Sequence, residues 1–312
     1  MNMKLIDMHC DTVLRLMDGG NLRENDYGVD VQKLRAGDSL AQFFALFVDL
    51  KKTTDPLDTC LQMLDRFFIE LEQNQDSIRL ATSYQEMLDN REDDKISAIL
   101  TIEEGGVLRG QIAHLRNLHR LGVRLITLTW NYPNEIGFPN AGGEHRSKGL
   151  TEFGRDVVCE MNRLGMLIDV SHLSDGGFYD VARLSQKPFV ASHSNARAVT
   201  GHLRNLTDDM IRVLADKGGV IGINFCSEFL GTGTRSRVED MIQHIRHIRK
   251  IGGMDVLAIG TDLDGIDPDL EIANSGEIGK LRQALEMDRF SQTEIEKIFY
   301  RNAARLIQDT LG

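Results

Sequence analysis

The chain has 312 residues, more than an ordinary domain and enough for one (β/α)8 barrel, which takes ~250 residues plus insertions. Hydrophobic residues make up 41% and charged residues 27%, a globular balance that excludes a disordered chain. The formal net charge of −11 disfavours nucleic acid and anionic membrane as partners.

The four cysteines, Cys10, Cys60, Cys159 and Cys226, form no C-x-x-C pair. A ribbon-type structural zinc site is therefore not expected, and the scatter fits a reducing compartment. The opening MNMKLIDMHCDTV has no apolar stretch of signal-peptide length, and no run approaches the ~18 apolar residues of a membrane span. The expectation is a cytoplasmic protein.

In chain order, short apolar runs alternate with longer amphipathic ones. The strand candidates are Leu5–Asp11, Gln42–Asp49, Ile96–Glu103, Val123–Trp130, Met166–His172, Pro188–Ser194, Gly219–Phe225 and Val256–Asp262. Several are almost continuously apolar, as parallel strands buried on both faces should be. Helical patterns lie between them: LDTCLQMLDRFFIELEQN, IAHLRNLHRLG, LTEFGRDVVCEMNRLG, GGFYDVARLSQ, TDDMIRVLADKG and VEDMIQHIRHIRKIGG. Several end in Gly, which accepts the left-handed closing turn. The final segment, SQTEIEKIFYRNAARLIQDT, predicts a closing helix capped by Ser291 with Glu294.

Eight strand candidates alternating with helices predict a closed (β/α)8 TIM barrel, with 1–312 as a single domain. A doubly wound open sheet is the rival; no G-x-G-x-x-G follows the first strand. The polar, Gly-rich stretches 131–150 and 263–281 each follow a predicted strand. They belong on the barrel face where active sites lie.

Ionisable residues collect at the ends of these strands. The first ends in His9-Cys10-Asp11, the third in Glu103-Glu104, the fifth at His172, the sixth at His193 and the eighth at Asp262 and Asp264. Residues two apart on a strand share a face, so His9 and Asp11 can reach one ion. The mixed imidazole and carboxylate set suits Zn²⁺ better than Mg²⁺ or Ca²⁺. Five ligands exceed one catalytic zinc and fit two ions ~4 Å apart, bridged by a carboxylate and a water. Asp262 would then move protons. Each feature alone has a plain structural alternative. A lone histidine is more often structural, TDLDG makes a turn, and Glu103 to Gly106 makes a solvated loop. His114, His119, His202, His244 and His247 are assigned structural places. Coincidence across five strand ends favours a site, since unpaired buried charges are costly.

The segments IDMHCDT, IEEGG, LGVRLITLTWN, GMLIDVSHLS, PFVASHSNAR, HLRNLTDDMI, GGVIGINF and AIGTDLDG, in order along nearly the whole chain, resemble the membrane (renal) dipeptidase family of zinc peptidases. The resemblance implies a (β/α)8 barrel with two Zn²⁺ ions per chain. It also implies dipeptide hydrolysis, often with a D-residue on the C-terminal side, by a metal-bridging hydroxide. Carried over, His9 and Asp11 match ligands of one zinc, and His172 and His193 those of the second. Glu104, directly before the Gly pair, matches the bridging glutamate in preference to Glu103. Asp262 matches the proton-transfer aspartate, ahead of Asp264. Arg204 matches the arginine that binds the substrate's C-terminal carboxylate; the residues alone place it on the surface before a helix capped by Thr207. Trp130 stands where the mammalian-type pattern has a substrate-contacting histidine. Trp130 and Asn131 are candidate substrate contacts, and Tyr132 or His145 are further substitutes for that histidine. Cys10 should point into the core. The chain looks like a soluble microbial-type member, and a homodimer is compatible with the family. The alternatives are another barrel amidohydrolase, acting on a cyclic amide, lactone or ester, and a non-catalytic metal-binding barrel. Strand one gives H-x-D rather than H-x-H, and no lysine offers itself as a bridge, which favours the dipeptidase.

Overall fold

The computed structural model describes residues 4–312. Among the described residues nine strands form one parallel sheet: β1 Leu5–Cys10, β2 Ser39–Phe47, β3 Ile78–Leu80, β4 Ile96–Glu103, β5 Val123–Thr127, β6 Leu167–Asp169, β7 Val190–Ala191, β8 Val220–Ile223 and β9 Leu257–Ile259. Pairing runs from β2 through β1, β9, β8, β7, β6 and β5 to β4, and β4 pairs back onto β2. That ring is the (β/α)8 TIM barrel, and its eight strands are the eight expected from the apolar runs. The ninth, β3, has no counterpart among those expectations. Its three residues hydrogen-bond the first half of β4, and β5 takes the same edge from Leu100 onward. A three-residue IRL between two helices is too short to show a period.

Several strands stop earlier than their apolar runs do. The expected Met166–His172 pairs only over Leu167–Asp169, and Pro188–Ser194 only over Val190–Ala191. The cause is competition for backbone donors. Asp169 Oδ1 accepts the N–H groups of Ser171 (3.0 Å) and Ser192 (2.9 Å). Asp7 Oδ1 likewise accepts Thr261 N–H at 2.9 Å. Side-chain acceptors thus replace the ladder where the strands open toward the C-terminal face.

The predicted helices form, four of the six behind a side-chain cap, while Ile112–Arg120 and Val238–Gly252 start without one. Asp55 accepts the Asp58 N–H ahead of Pro56–Gln73, and Thr151 accepts the Gly154 N–H ahead of Glu152–Leu164. The closing segment has the expected reciprocal cap between Ser291 and Glu294. It is not one uniform helix: a wider π turn at Lys297–Arg301 separates Gln292–Glu296 from Asn302–Leu311. No helix among the described residues is long and apolar enough to cross a membrane.

Two apolar clusters follow the period-two pattern. On β4, Ala98, Leu100 and Ile102 join the layer between strands and helices. Ile99 joins an inner cluster with Met8, Phe43, Leu125, Leu167, Val190, Val220 and Ala258. Ala303, Leu306 and Ile307 of the last helix pack into the same inner cluster and close it from below. Near the other end the barrel narrows. A Cβ on Gly222 or Gly260 would lie 1.9 or 1.8 Å from the Ser192 carbonyl oxygen, so only glycine fits beside the end of β7.

His244 sits behind that end. Its Nδ1 accepts the Ala196 N–H at 3.0 Å, and its Nε2 faces the Leu230 carbonyl at 3.0 Å. These contacts require the neutral ring with its proton on Nε2. Burial lowers the His244 pKa to about 4 from the ordinary 6.5. The unfolded chain therefore takes up a proton here before the folded one does. The stability this group contributes is complete above pH 6.5 and falls as the pH drops toward 4, by at most ~3 kcal/mol. Denaturant unfolding of wild type and His244→Asn across this range should show the extra acid loss in the wild type. Parallel curves would remove His244 as an acid-labile support.

Candidate active site

The C-terminal ends of the strands deliver three imidazoles to one carboxylate. Glu103, the last residue of β4, lies with Oε2 3.1 Å from His9 Nε2 and Oε1 3.0 Å from His172 Nε2. His193 Nε2 stands 3.6 Å from Oε1. Asp11 and Asp262 approach His9 from other sides, at 3.5 and 3.7 Å. Three overlapping groups are compact enough for a metal ion: His9–Asp11–Glu103, Glu103–His172–His193 and His9–His193–Asp262.

Four of the five expected ligands, His9, Asp11, His172 and His193, are brought together here. Glu104 is not, and this corrects the sequence expectation. The β4 side chains alternate, and Glu103 continues the inward parity of Ile99 and Thr101. Glu104 follows outside the strand and turns away. Its carboxylate accepts the N–H groups of Gly106 (2.5 Å) and Trp130 (2.9 Å) and the Asn134 side-chain amide. Burial raises its pKa to about 7. The period-two alternation was the signal that distinguishes the two glutamates.

The backbone is bent to present these groups. His172 and Asp262 have φ of 65° and 63°, a left-handed conformation that non-glycine residues seldom adopt and that concentrates at functional sites. Asn140 N–H binds the His172 carbonyl at 2.7 Å, and Asp262 N–H binds the His9 carbonyl at 3.2 Å. Asn224 Nδ2 donates to Asp262 Oδ2 at 2.8 Å. Asp264 belongs elsewhere: it accepts Thr12 Oγ and Gly28 N–H, both at 2.6 Å, tying loops together. Cys10 is buried in the outer core as expected.

The electrostatics are those of a set built around positive charge. Burial lowers the His9 pKa, but Glu103 and Asp11 outweigh it and hold the ring well above its ordinary value. Burial raises Glu103, and the three histidines outweigh that in turn. Burial, then Arg204, pushes His172 down to about 4; burial, then His9, pushes His193 down too. Burial lifts Asp262 to about 7, with Asp11 and Glu103 adding to it. Both ring nitrogens of His9, Oδ1 of Asp11 and Oε1 of Glu103 are buried without a hydrogen-bond partner. Buried, unpartnered ligand atoms in a mixed N/O set are what a divalent transition metal satisfies.

Arg204 departs from the surface place its residues alone suggest. It is only 5% exposed. Its guanidinium donates to the His193 carbonyl (3.0 Å) and Ser194 Oγ (3.3 Å) and lies over the Phe229 ring. Its Nε has no partner. Arg197 fixes the loop that carries it, through Asp175 and the carbonyls of Leu203 and Asn205. A cavity of about 600 Å³ opens over the site, lined by Glu103, Asp262, Trp130, Asn131, Phe229 and Ile266 among others. Trp130 packs edge-on to Phe47 and Tyr132. Asn131 Oδ1 meets His172 Nδ1 at 3.0 Å. His145 packs on Phe138 instead.

Residues 1–311 match the family model described as membrane dipeptidase (peptidase family M19). The chain belongs to that family. An uncharacterized dipeptidase of Schizosaccharomyces pombe is 31% identical over 288 residues, 84% of this chain and 69% of the relative. Among solved structures, the metallopeptidase dipeptidase AC aligns with a TM-score of 0.93 at 26% identity, covering 100% of both chains. A Rhodobacter sphaeroides metallopeptidase, liganded with a phosphinate mimic of the dipeptide L-Ala-D-Ala, aligns with a TM-score of 0.92 at 26% identity over 99% of this chain and 100% of that one. As an M19 member the chain is a dipeptidase of a metallopeptidase family, a hydrolase acting on peptides. The family's metal requirement meets a donor set in which atoms of His9, Asp11 and Glu103 are buried without hydrogen-bond partners.

The two glutamates should separate in experiment. Glu103→Gln should bind metal at least tenfold more weakly than wild type in a chelator-competition assay. Glu104→Gln should keep its metal yet unfold about 1–3 kcal/mol more easily, because a donor replaces one of the two acceptor oxygens that the buried N–H groups use. Strong metal loss in Glu104→Gln alone would restore the assignment the sequence favoured.

Proposed function

We propose that this single-domain barrel is a zinc dipeptidase with two ions per chain. Glu103 would be shared, with His9 and Asp11 on one side and His172 and His193 on the other. The observation that carries this reading is the Glu103 carboxylate, whose two oxygens face different histidines. Zinc, when bound there, supplies Lewis-acid polarisation of the scissile carbonyl and activation of the attacking water.

The chain's own residues supply the rest. Asp262 stands at the cavity wall with one oxygen held by Asn224 and the other toward His9. In this reading it takes the proton of the attacking water and delivers it to the leaving amine. Arg204 receives the substrate's C-terminal carboxylate on its buried guanidinium, where an unpartnered Nε is available. A clamp so close to the reacting centre restricts the substrate to short peptides. Trp130 forms the cavity wall beside His172. Asn131 adjoins the substrate there and orients His172 through Nδ1. The likeness to the Rhodobacter sphaeroides enzyme, solved with an L-Ala-D-Ala mimic, supports L-Xaa-D-Xaa dipeptides as the class to try first.

Hydrolysis of an L-Xaa-L-Xaa and L-Xaa-D-Xaa panel by the Zn²⁺-loaded protein should be measurable. It should vanish in His172→Ala and on chelation, and return when Zn²⁺ is restored. A panel without turnover, despite two bound metals, would sink the dipeptidase reading in favour of another amidohydrolase reaction. Arg204→Ala should raise KM for free dipeptides by ~10- to 100-fold, the loss of a charged hydrogen-bonded pair of about 1.5–3 kcal/mol. It should leave C-terminally amidated ones nearly unchanged. Equal effects on both would remove the carboxylate clamp.

A further inference from the structure

Beneath His193 lies a buried polar group that belongs to no candidate ligand set. Asp169, at the end of β6, is fully buried. Four donors converge on it. Oδ1 accepts the N–H groups of Ser171 and Ser192, and Oδ2 accepts the hydroxyls of Thr127 and Ser192, each at 2.6 Å. With every contact used as an acceptor, Asp169 consumes the single proton of the Ser192 hydroxyl. Ser192 Oγ also lies 2.8 Å from His193 Nδ1. Having given its proton to Asp169, that oxygen meets the ring only as an acceptor. His193 must then carry its proton on Nδ1, which leaves the Nε2 lone pair directed into the cluster, 3.1 Å from His172 Nε2 and 3.6 Å from Glu103 Oε1.

We infer that Asp169 and Ser192 are positioning residues, a carboxylate–hydroxyl–imidazole relay that holds His193 in the Nδ1–H tautomer and so sets metal affinity in one half of the centre. The inference rests on the two-ion reading for its metal consequence and on hydrogen-bond geometry alone for the tautomer. Partners on the far side of a ligating imidazole orient the ring and raise its basicity, and their loss typically weakens metal binding 10- to 100-fold. The relay is held rigidly. The Ser192 carbonyl packs closely against Gly222 and Gly260, where a Cβ would not fit, and the Asp169 contacts tie β5, β6 and β7 into one unit. The partner histidine has its own device, Asn131 Oδ1 on His172 Nδ1. His9 has none, since its Nδ1 is unpartnered.

The test uses the full-length protein with ¹⁵N-labelled histidine. Long-range ¹H–¹⁵N correlation on the metal-free wild type should show His193 as the Nδ1–H tautomer, with the resonance assigned by its loss in His193→Gln. Ser192→Ala, checked for folding by its melting temperature, should release that preference, and Ser192→Thr should restore it. Zn²⁺ titration by calorimetry should then show one of two sites weakened 10- to 100-fold in Ser192→Ala, with the other within threefold of wild type. A wild-type His193 in the Nε2–H form would overturn the relay, even if Ser192→Ala failed to fold. So would a folded Ser192→Ala that leaves tautomer and both affinities unchanged. A wild type that binds one Zn²⁺ but keeps the Nδ1–H tautomer would sink the two-ion reading and leave the relay standing.

Discussion

Everything at the open end of this barrel is arranged around one carboxylate. Glu103 meets imidazoles that arrive from β1, from the turn after β6 and from the end of β7. No short segment can deliver groups so far apart in sequence to one point; a closed ring of parallel strands can, because every strand ends on the same face. The remaining features of that face follow from holding the cluster in place. Strands stop early so that side chains can splay inward. Asp7 and Asp169 accept the backbone donors that the ladder gives up. His172 and Asp262 take left-handed backbone conformations that a regular strand would not require.

The charges in the cluster make a second point. Three carboxylates, Asp11, Glu103 and Asp262, face one another out of water, and Arg204 is the buried guanidinium beside them. The histidines divide under this field. His9 is driven toward its protonated form by the acids, while His172 and His193 are driven toward neutrality by burial, Arg204 and His9. A neutral imidazole is a metal ligand, and burial favours that form at His172 and His193. Desolvation lowers the Arg204 pKa, and the same field opposes that pull through Asp262, Glu103 and Asp169.

The barrel was legible from alternating apolar runs, since strands buried on both faces leave an unmistakable pattern, and His9, Asp11, His172 and His193 were legible as their terminal residues. The choice between Glu103 and Glu104 was legible too, but through parity along β4 rather than through the Gly pair that follows. What lay beyond reach was set by tertiary contact. β3 is three residues long and exists because β4 offers it an edge. Arg204 looks like a surface residue until Arg197 and Asn205 fold its loop onto Phe229. Asp7, Asp169, Ser192 and Asn224 sit inside apolar runs where a single polar residue announces nothing, and only the pairing of neighbouring strand ends reveals that they hold the others in place.

The adjacent glutamates show how closely scaffold and site are joined. Consecutive residues at the end of a strand point in opposite directions, so one carboxylate enters the cluster and the next leaves it. Glu104 reaches outward to the Trp130 N–H and the Asn134 side chain. It thereby pins the start of the long loop after β5, the loop that carries Trp130 into the cavity wall and sets Asn131 against His172 Nδ1. A displacement of Glu104 would therefore reach the centre by two routes, through the backbone of Glu103 and through the partner that orients His172. That double connection accounts for a carboxylate kept fully buried despite its raised pKa. Its three donors organise the wall that faces the substrate, while its neighbour organises the cluster.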